Sequence, residues 1–107
     1  MPPIGEFEQL VLLAILQQGD TAFGLEVRGE IEKSAGRKVS RGAFYTTLER
    51  LEKKGYLVWE EATPTDPDRT APLRKFTVTS AGLSALRASR RALQTLWRGL
   101  DELLEDS

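Results

Sequence analysis

The chain has 107 residues, 40% of them apolar and 29% charged, with a formal net charge of −1. That fits one globular domain with a modest core and is unlike a disordered chain. Neither cysteine nor histidine occurs, which excludes disulfides, thiolate sites and the commonest general base and metal ligand.

Gly5 to Gln18 reads as a helix, because Phe7, Leu10, Val11, Ala14 and Ile15 recur at spacings of three and four. Leu12, Leu13 and Leu16 widen the stripe, so burial on more than one side is expected. Gly19-Asp20 stops it. Thr21 is placed to cap a second helix, in which Phe23, Val27 and Ile31 follow at four-residue spacing with Leu25 beside them. Ala35-Gly36 ends that helix. Ser40 is an N-cap for a third helix running to Lys54, with Gly55 closing it. At 100° per residue, Phe44, Thr47, Leu48 and Leu51 share its inner side, and Gly42, Tyr45, Thr46, Glu49, Arg50 and Lys53 its outer side.

The period then changes. Tyr56 to Glu60 reads as a short strand, and Leu73 to Thr79 as a second with Phe76 and Val78 inward. The polar stretch between them, Thr63 to Pro72, is turn chemistry, so the two strands form an antiparallel hairpin. Ser80-Ala81-Gly82 leads into a last helix of roughly 25 residues. Three helices, a hairpin and a long helix predict a mostly α (α+β) fold: a winged helix-turn-helix over residues 1–79, with the third helix for reading DNA, followed by a dimerisation helix over 80–105.

Charge is unevenly spread along this order. Residues 1–36 carry −4, 37–56 carry +4, 57–72 carry −3, 73–91 carry +5 and 92–107 carry −3. A fold that joins the two basic islands would give an acidic protein one cationic face. Enzyme chemistry finds no support. Glu60 and Glu61 are the local carboxylate pair, and neighbours on a strand point to opposite faces. Asp66 and Asp68 supply too few hard ligands for a metal ion, so neither metal nor cofactor is expected. The apolar run Leu10 to Leu16 is too short for a bilayer, and Met1-Pro2-Pro3 opens no basic signal region. A cytoplasmic protein with no membrane partner is the expectation.

The segment Gly42-Ala43-Phe44-Tyr45-Thr46-Thr47-Leu48-Glu49-Arg50-Leu51-Glu52-Lys53-Lys54-Gly55-Tyr56-Leu57 resembles the recognition-helix signature of PadR-type transcriptional regulators. Arg74-Lys75-Phe76-Thr77-Val78-Thr79-Ser80-Ala81-Gly82 looks like the same family's second wing strand and the start of its last helix. Glu6 to Leu10 and Phe23 to Val27 are similar to its first two helices. Three positions depart from the family pattern: Phe76-Thr77 stands for a tyrosine pair, Phe23 for a tyrosine, and Thr46 for a frequent proline. The single final helix resembles the family's short subgroup. The resemblance implies a homodimeric repressor that binds palindromic promoter sites, and it implies that Tyr45 gives its hydroxyl to a phosphate.

The residues suggest how such binding works. Ser40 and the amides after it present a helix N-terminus to a phosphate. Arg41 reaches a phosphate or a guanine edge, Gly42 permits close approach, and Thr46 meets a thymine methyl or base edge. Arg50 and Lys53 suit phosphates, while Glu49 is expected to pair with Lys53. Arg69, Arg74 and Lys75 on the wing complete the double-stranded DNA contact, although Asp66 and Asp68 would repel it. In the last helix Leu86, Leu93 and Leu100 recur every seven residues, and 93, 97, 100, 104 alternates steps of four and three. With Leu96, Trp97, Leu103 and Leu104 this seam predicts a homodimer, completed by the first helix and placing two recognition helices about one DNA turn apart. Two copies of Trp97 facing across the dyad could stack a planar aromatic effector, against the plainer reading of ordinary packing. The alternative to a DNA-binding regulator is a winged-helix module that binds a protein partner.

Overall fold

In the computed structural model, which describes residues 2–63, 67–68 and 71–105, the first apolar stripe forms α1 (Glu6–Gln18). Val11, Leu12 and Ile15 are buried, but Leu13 and Leu16 stand exposed, so the single chain buries one side of α1 and leaves the other. The second helix, α2 (Gly24–Ala35), ends at Gly36 with φ +66°, where a glycine carries no Cβ penalty.

Thr21 does not cap α2. It lies in a single 3₁₀ turn, Gly19–Thr21, and its hydroxyl donates back to the Gln18 carbonyl at 2.9 Å. The helix begins after Phe23, without a side-chain cap. A tertiary contact overrides the local signal here. The Phe76 N–H donates to the Ala22 carbonyl at 2.9 Å and Phe23 bridges Lys75, which holds residues 22–23 extended against the wing.

The third helix, α3 (Arg41–Lys53), starts at Ser40, whose hydroxyl accepts from the Ala43 N–H at 3.2 Å. Phe44, Thr47, Leu48 and Leu51 are buried as the periodicity predicts. The Thr47 hydroxyl donates to the Ala43 carbonyl at 2.8 Å, which satisfies it inside the core. The turn from α2 to α3 is tied by Glu32, whose Oε2 accepts from the Val39 N–H at 2.8 Å.

The hairpin comprises β1 (Leu57–Ala62) and β2 (Leu73–Val78), antiparallel with Leu57 opposite Val78 and Ala62 opposite Leu73. Tyr56 precedes β1 and belongs to the core. Its hydroxyl donates to the Pro2 carbonyl. Phe76 is buried and Val78 partly so, as expected from alternation.

Thr79 then links three elements: its hydroxyl donates to the Gly55 carbonyl at 2.6 Å and accepts from the Gly82 N–H at 3.1 Å, capping α4 (Ser80–Trp97). Gly82 is required by proximity, since a Cβ there would lie 2.3 Å from the Tyr56 carbonyl oxygen. The expected helix of roughly 25 residues is shorter. The chain leaves the helix after Trp97, Gly99 takes φ +80°, and a four-residue turn, α5 (Asp101–Leu104), follows. Extended ψ at Arg98, 124°, followed by left-handed Gly99 breaks the hydrogen-bond ladder, so Leu93 and Trp97 sit on a different helix from Leu103 and Leu104.

Val11, Leu12, Ile15, Val27, Ile31, Phe44, Leu48, Leu51, Leu57 and Phe76 form one core beneath α1, α2, α3 and the wing. Among the described residues no helix is long and apolar enough to cross a membrane.

Candidate nucleic-acid interface

Because Ser40 leaves the helix through an extended backbone, the first turn of α3 is presented at the surface, with Arg41 and Gly42 exposed. This turn faces the first turn of α2 and the start of β2 across a groove of about 820 Å³. Phe23, Leu25, Arg41, Gly42, Tyr45, Leu73 and Arg74 are among its lining residues. The fold therefore joins one arginine from each basic island in a single concavity.

Tyr45 packs against the core and also borders the groove. Its ring is half-buried and meets Phe44 edge-on, with centroids 5.3 Å apart and planes at 77°. Its hydroxyl lies 2.6 Å from the position a Cβ on Gly24 would take, so the glycine makes room for it. Tyr45 nonetheless lines the groove, and Arg41 Cζ stands 5.7 Å from the ring centroid. Opposite, Arg74 Cζ lies 4.2 Å from the ring of Trp59.

The other predicted contacts are distributed around this centre. Thr46, Arg50 and Lys53 are exposed on the outer side of α3. Lys75 is half-buried and turned to the opposite side of the wing from Arg74, with its Nζ 3.5 Å from Asp20 Oδ1. Arg69 and Asp66 lie outside the described residues.

Several basic residues are instead matched to the acidic N-terminal block. Arg37 reaches Glu6 at 3.4 Å, and Lys54 reaches both oxygens of Glu8 at 2.8 Å. Glu8 is only 5% exposed. Burial alone would push its carboxyl pKa up, but hydrogen bonds from the Gly5 N–H and Lys54, with the charges of Lys54 and Arg50, hold it below the ordinary value. This pair fixes the C-terminal end of α3 to α1. Sequence reasoning missed it, although a signal was present: Glu8 lies three, four and seven residues before Val11, Leu12 and Ile15, on the core stripe itself. A carboxylate there demands a buried cation.

The apolar residues of the predicted seam are exposed in the single chain. Leu96 is 73% and Trp97 47% exposed, and Leu93, Leu100, Leu103 and Leu104 are also uncovered, while Leu86 is half-buried. Leu13 and Leu16 of α1 join Leu83, Leu86, Leu93 and Trp97 of α4 around a groove of about 450 Å³, bordered by Arg87 and Arg90.

Three helices, a two-stranded wing and a flanking helix define a winged helix-turn-helix. The family model described as the transcriptional regulator PadR-like family matches residues 12–88, and the chain belongs to that family. It is 43% identical over 63 residues to the transcriptional regulator Rv3488 of Mycobacterium tuberculosis, a match covering 59% of this chain and 55% of that protein. The chain thus aligns with about half the length of this curated relative. The X-ray structure of a PadR-like transcription factor from Bacteroides fragilis is similar, with TM-score 0.71, 22% identity, and 91% of this chain and 88% of that one covered. RosR of H. salinarum gives TM-score 0.68 at 20% identity, covering 90% of this chain and 79% of that one. At these identities the likeness of the solved structures is one of fold.

Proposed function

We propose that the protein is a cytoplasmic, sequence-specific DNA-binding repressor that acts as a homodimer at a palindromic promoter site. The observation that carries this reading is the groove in which Arg41, Gly42 and Tyr45 of α3 face Arg74 of the wing, beside a helix N-terminus capped by Ser40. Guanidinium groups and free amides are the groups that bind phosphate, and a solvent-facing helix beside them can enter the major groove. Thr46 and Arg41 supply base contacts, and Tyr45, Arg50 and Lys53 hold phosphates. Lys75 contributes only after leaving Asp20, so its share is smaller than that of Arg74.

The exposed face of α4, together with Leu13 and Leu16, pairs two copies about a dyad. Such uncovered leucine and tryptophan area is what a dimer removes from water. Leu86, Leu93 and Trp97 form the centre of that interface, with Leu96, Leu100, Leu103 and Leu104 around it. Trp97 borders the groove between α1 and α4, which is where a planar aromatic effector would stack and shift the dimer to a geometry that fits the operator less well.

The decisive experiment is fluorescence-anisotropy binding to the DNA upstream of the protein's own gene, at about 150 mM salt with an unrelated duplex as competitor. Tight binding that survives the competitor, and is lost when Arg41 and Arg50 are both changed to Glu, supports the reading. A folded dimer that binds no duplex would refute it and leave a protein partner as the function of the domain.

A further inference from the structure

Two arginines flank the groove, and each lies over an aromatic ring. The tighter pair is Arg74 on Trp59, at 4.2 Å from guanidinium carbon to ring centroid, against 5.7 Å for Arg41 on Tyr45. The register explains the contact. Trp59 is directly opposite Phe76, and Arg74 lies two residues before Phe76, so Trp59 and Arg74 are diagonal neighbours on one face of the hairpin. Phe76 is buried and lines a small cleft with Tyr45 and Leu48 of α3, which gives the indole a defined place although it is itself 37% exposed.

A small cleft beneath the pair brings the problem that the indole solves. Glu49 and Glu52 of α3 line it together with Tyr45, Trp59 and Arg74. Glu61 stands directly opposite Arg74 in the register, so a long, flexible arginine here is drawn toward three carboxylates and away from an incoming phosphate. Stacking on a flat ring uses the face of the guanidinium and leaves its N–H edge free, so ring and phosphate can be engaged together.

We propose that Trp59 is a positioning residue for nucleic-acid binding: its indole holds the Arg74 guanidinium at the groove, away from Glu49, Glu52 and Glu61, with its N–H edge open to a backbone phosphate. The inference rests on the reading of this groove as the DNA-binding surface. Arg74→Lys should fail to substitute, because an ammonium keeps the charge but not the planar fork.

Phosphate contacts do not depend on sequence, so the test uses the full chain with a fluorescein-labelled random-sequence duplex of roughly 30 base pairs at about 50 mM salt and above. Wild type, Arg74→Ala, Trp59→Leu, Trp59→Phe and the Arg74→Ala/Trp59→Leu double variant are compared, with circular-dichroism melts confirming that each is folded. Trp59→Leu is expected to weaken binding about two- to fivefold per copy, hence roughly four- to twenty-fivefold in a dimer, with Trp59→Phe restoring most of it. Arg74→Ala weakens binding and lowers the salt slope by about one per copy. In the Arg74→Ala background, Trp59→Leu should cost nothing further. An equal loss in both backgrounds would show that the ring acts independently of Arg74 and would overturn the proposal. Wild-type affinity in Arg74→Ala would remove Arg74 from the interface, and absence of binding by the wild type would remove the groove reading itself.

Discussion

Removing Lys54 should destabilise the protein more than neutralising Glu8, although both changes break the same ion pair. Glu8 is buried at 5% exposure, with its carboxylate held by the Gly5 N–H at 2.8 Å and by Lys54 at 2.8 Å on each oxygen. The Lys54 side chain is 22% exposed and also donates to the Pro3 carbonyl at 3.0 Å. In Lys54→Ala the carboxylate keeps one backbone donor inside the core, and an uncompensated buried charge costs about 3–5 kcal/mol. In Glu8→Gln the amide still accepts from Gly5, and the ammonium keeps Pro3 and a route to water. Loss of the charge-assisted bonds then costs about 1.5–3 kcal/mol. Urea melts at one fixed protein concentration would show the difference, since Lys54→Ala moves the midpoint by about 2 M. The pH dependence follows from the lowered Glu8 pKa. The wild type has the full contribution above the ordinary glutamate value and loses it as pH falls through the lowered folded value. Glu8→Gln lacks that acid-side loss, while the Lys54→Ala penalty shrinks on acidification because the stranded carboxyl takes up a proton. A Lys54→Ala variant as stable as Glu8→Gln at neutral pH would refute this account of the pair.

Three further outcomes are expected. Gly42→Ala meets no atom within 4 Å and replaces a helical glycine, so thermal melts should show equal or slightly greater stability, by up to about 1 kcal/mol, while DNA affinity falls because the groove approach is obstructed. Gly24→Ala places a Cβ 2.6 Å from the Tyr45 hydroxyl. It should cost about 1–3 kcal/mol in a denaturant melt, and Tyr45→Phe should relieve most of that cost. Leu93→Glu puts a charge on the uncovered face of α4, and light scattering should then report a monomer that is folded but has lost its salt-resistant binding to DNA. A Leu93→Glu dimer would place the interface elsewhere.

Local chemistry was enough to place most elements. Ser40, Gly36 and Gly55 marked the ends of α2 and α3 because caps and left-handed turns depend on a few adjacent residues. The inner side of α3 followed from the 3.6-residue period alone, as did the inward Phe76 from the period of two. The residues of α3 also carried the family resemblance, which the match over residues 12–88 bears out.

What required the tertiary structure were the contacts between segments distant in sequence. Thr21 had every local reason to cap α2, but pairing of Ala22 and Phe23 with β2 held that stretch extended. The heptad spacing around Trp97 ran on through residue 104, whereas the chain turns at Gly99, because side-chain spacing carries no information on where the backbone leaves the helix. The charge islands showed where cations were plentiful, and the fold then divided them: Arg37, Lys54 and Lys75 went to Glu6, Glu8 and Asp20, while Arg41 and Arg74 were brought across one groove. Periodicity and capping act over a few residues, so the sequence alone determined the elements and their buried faces. Ion pairing and ring stacking act between whichever residues the packed core brings within a few ångströms, so only the tertiary structure decided which cations pair with carboxylates and which line the groove.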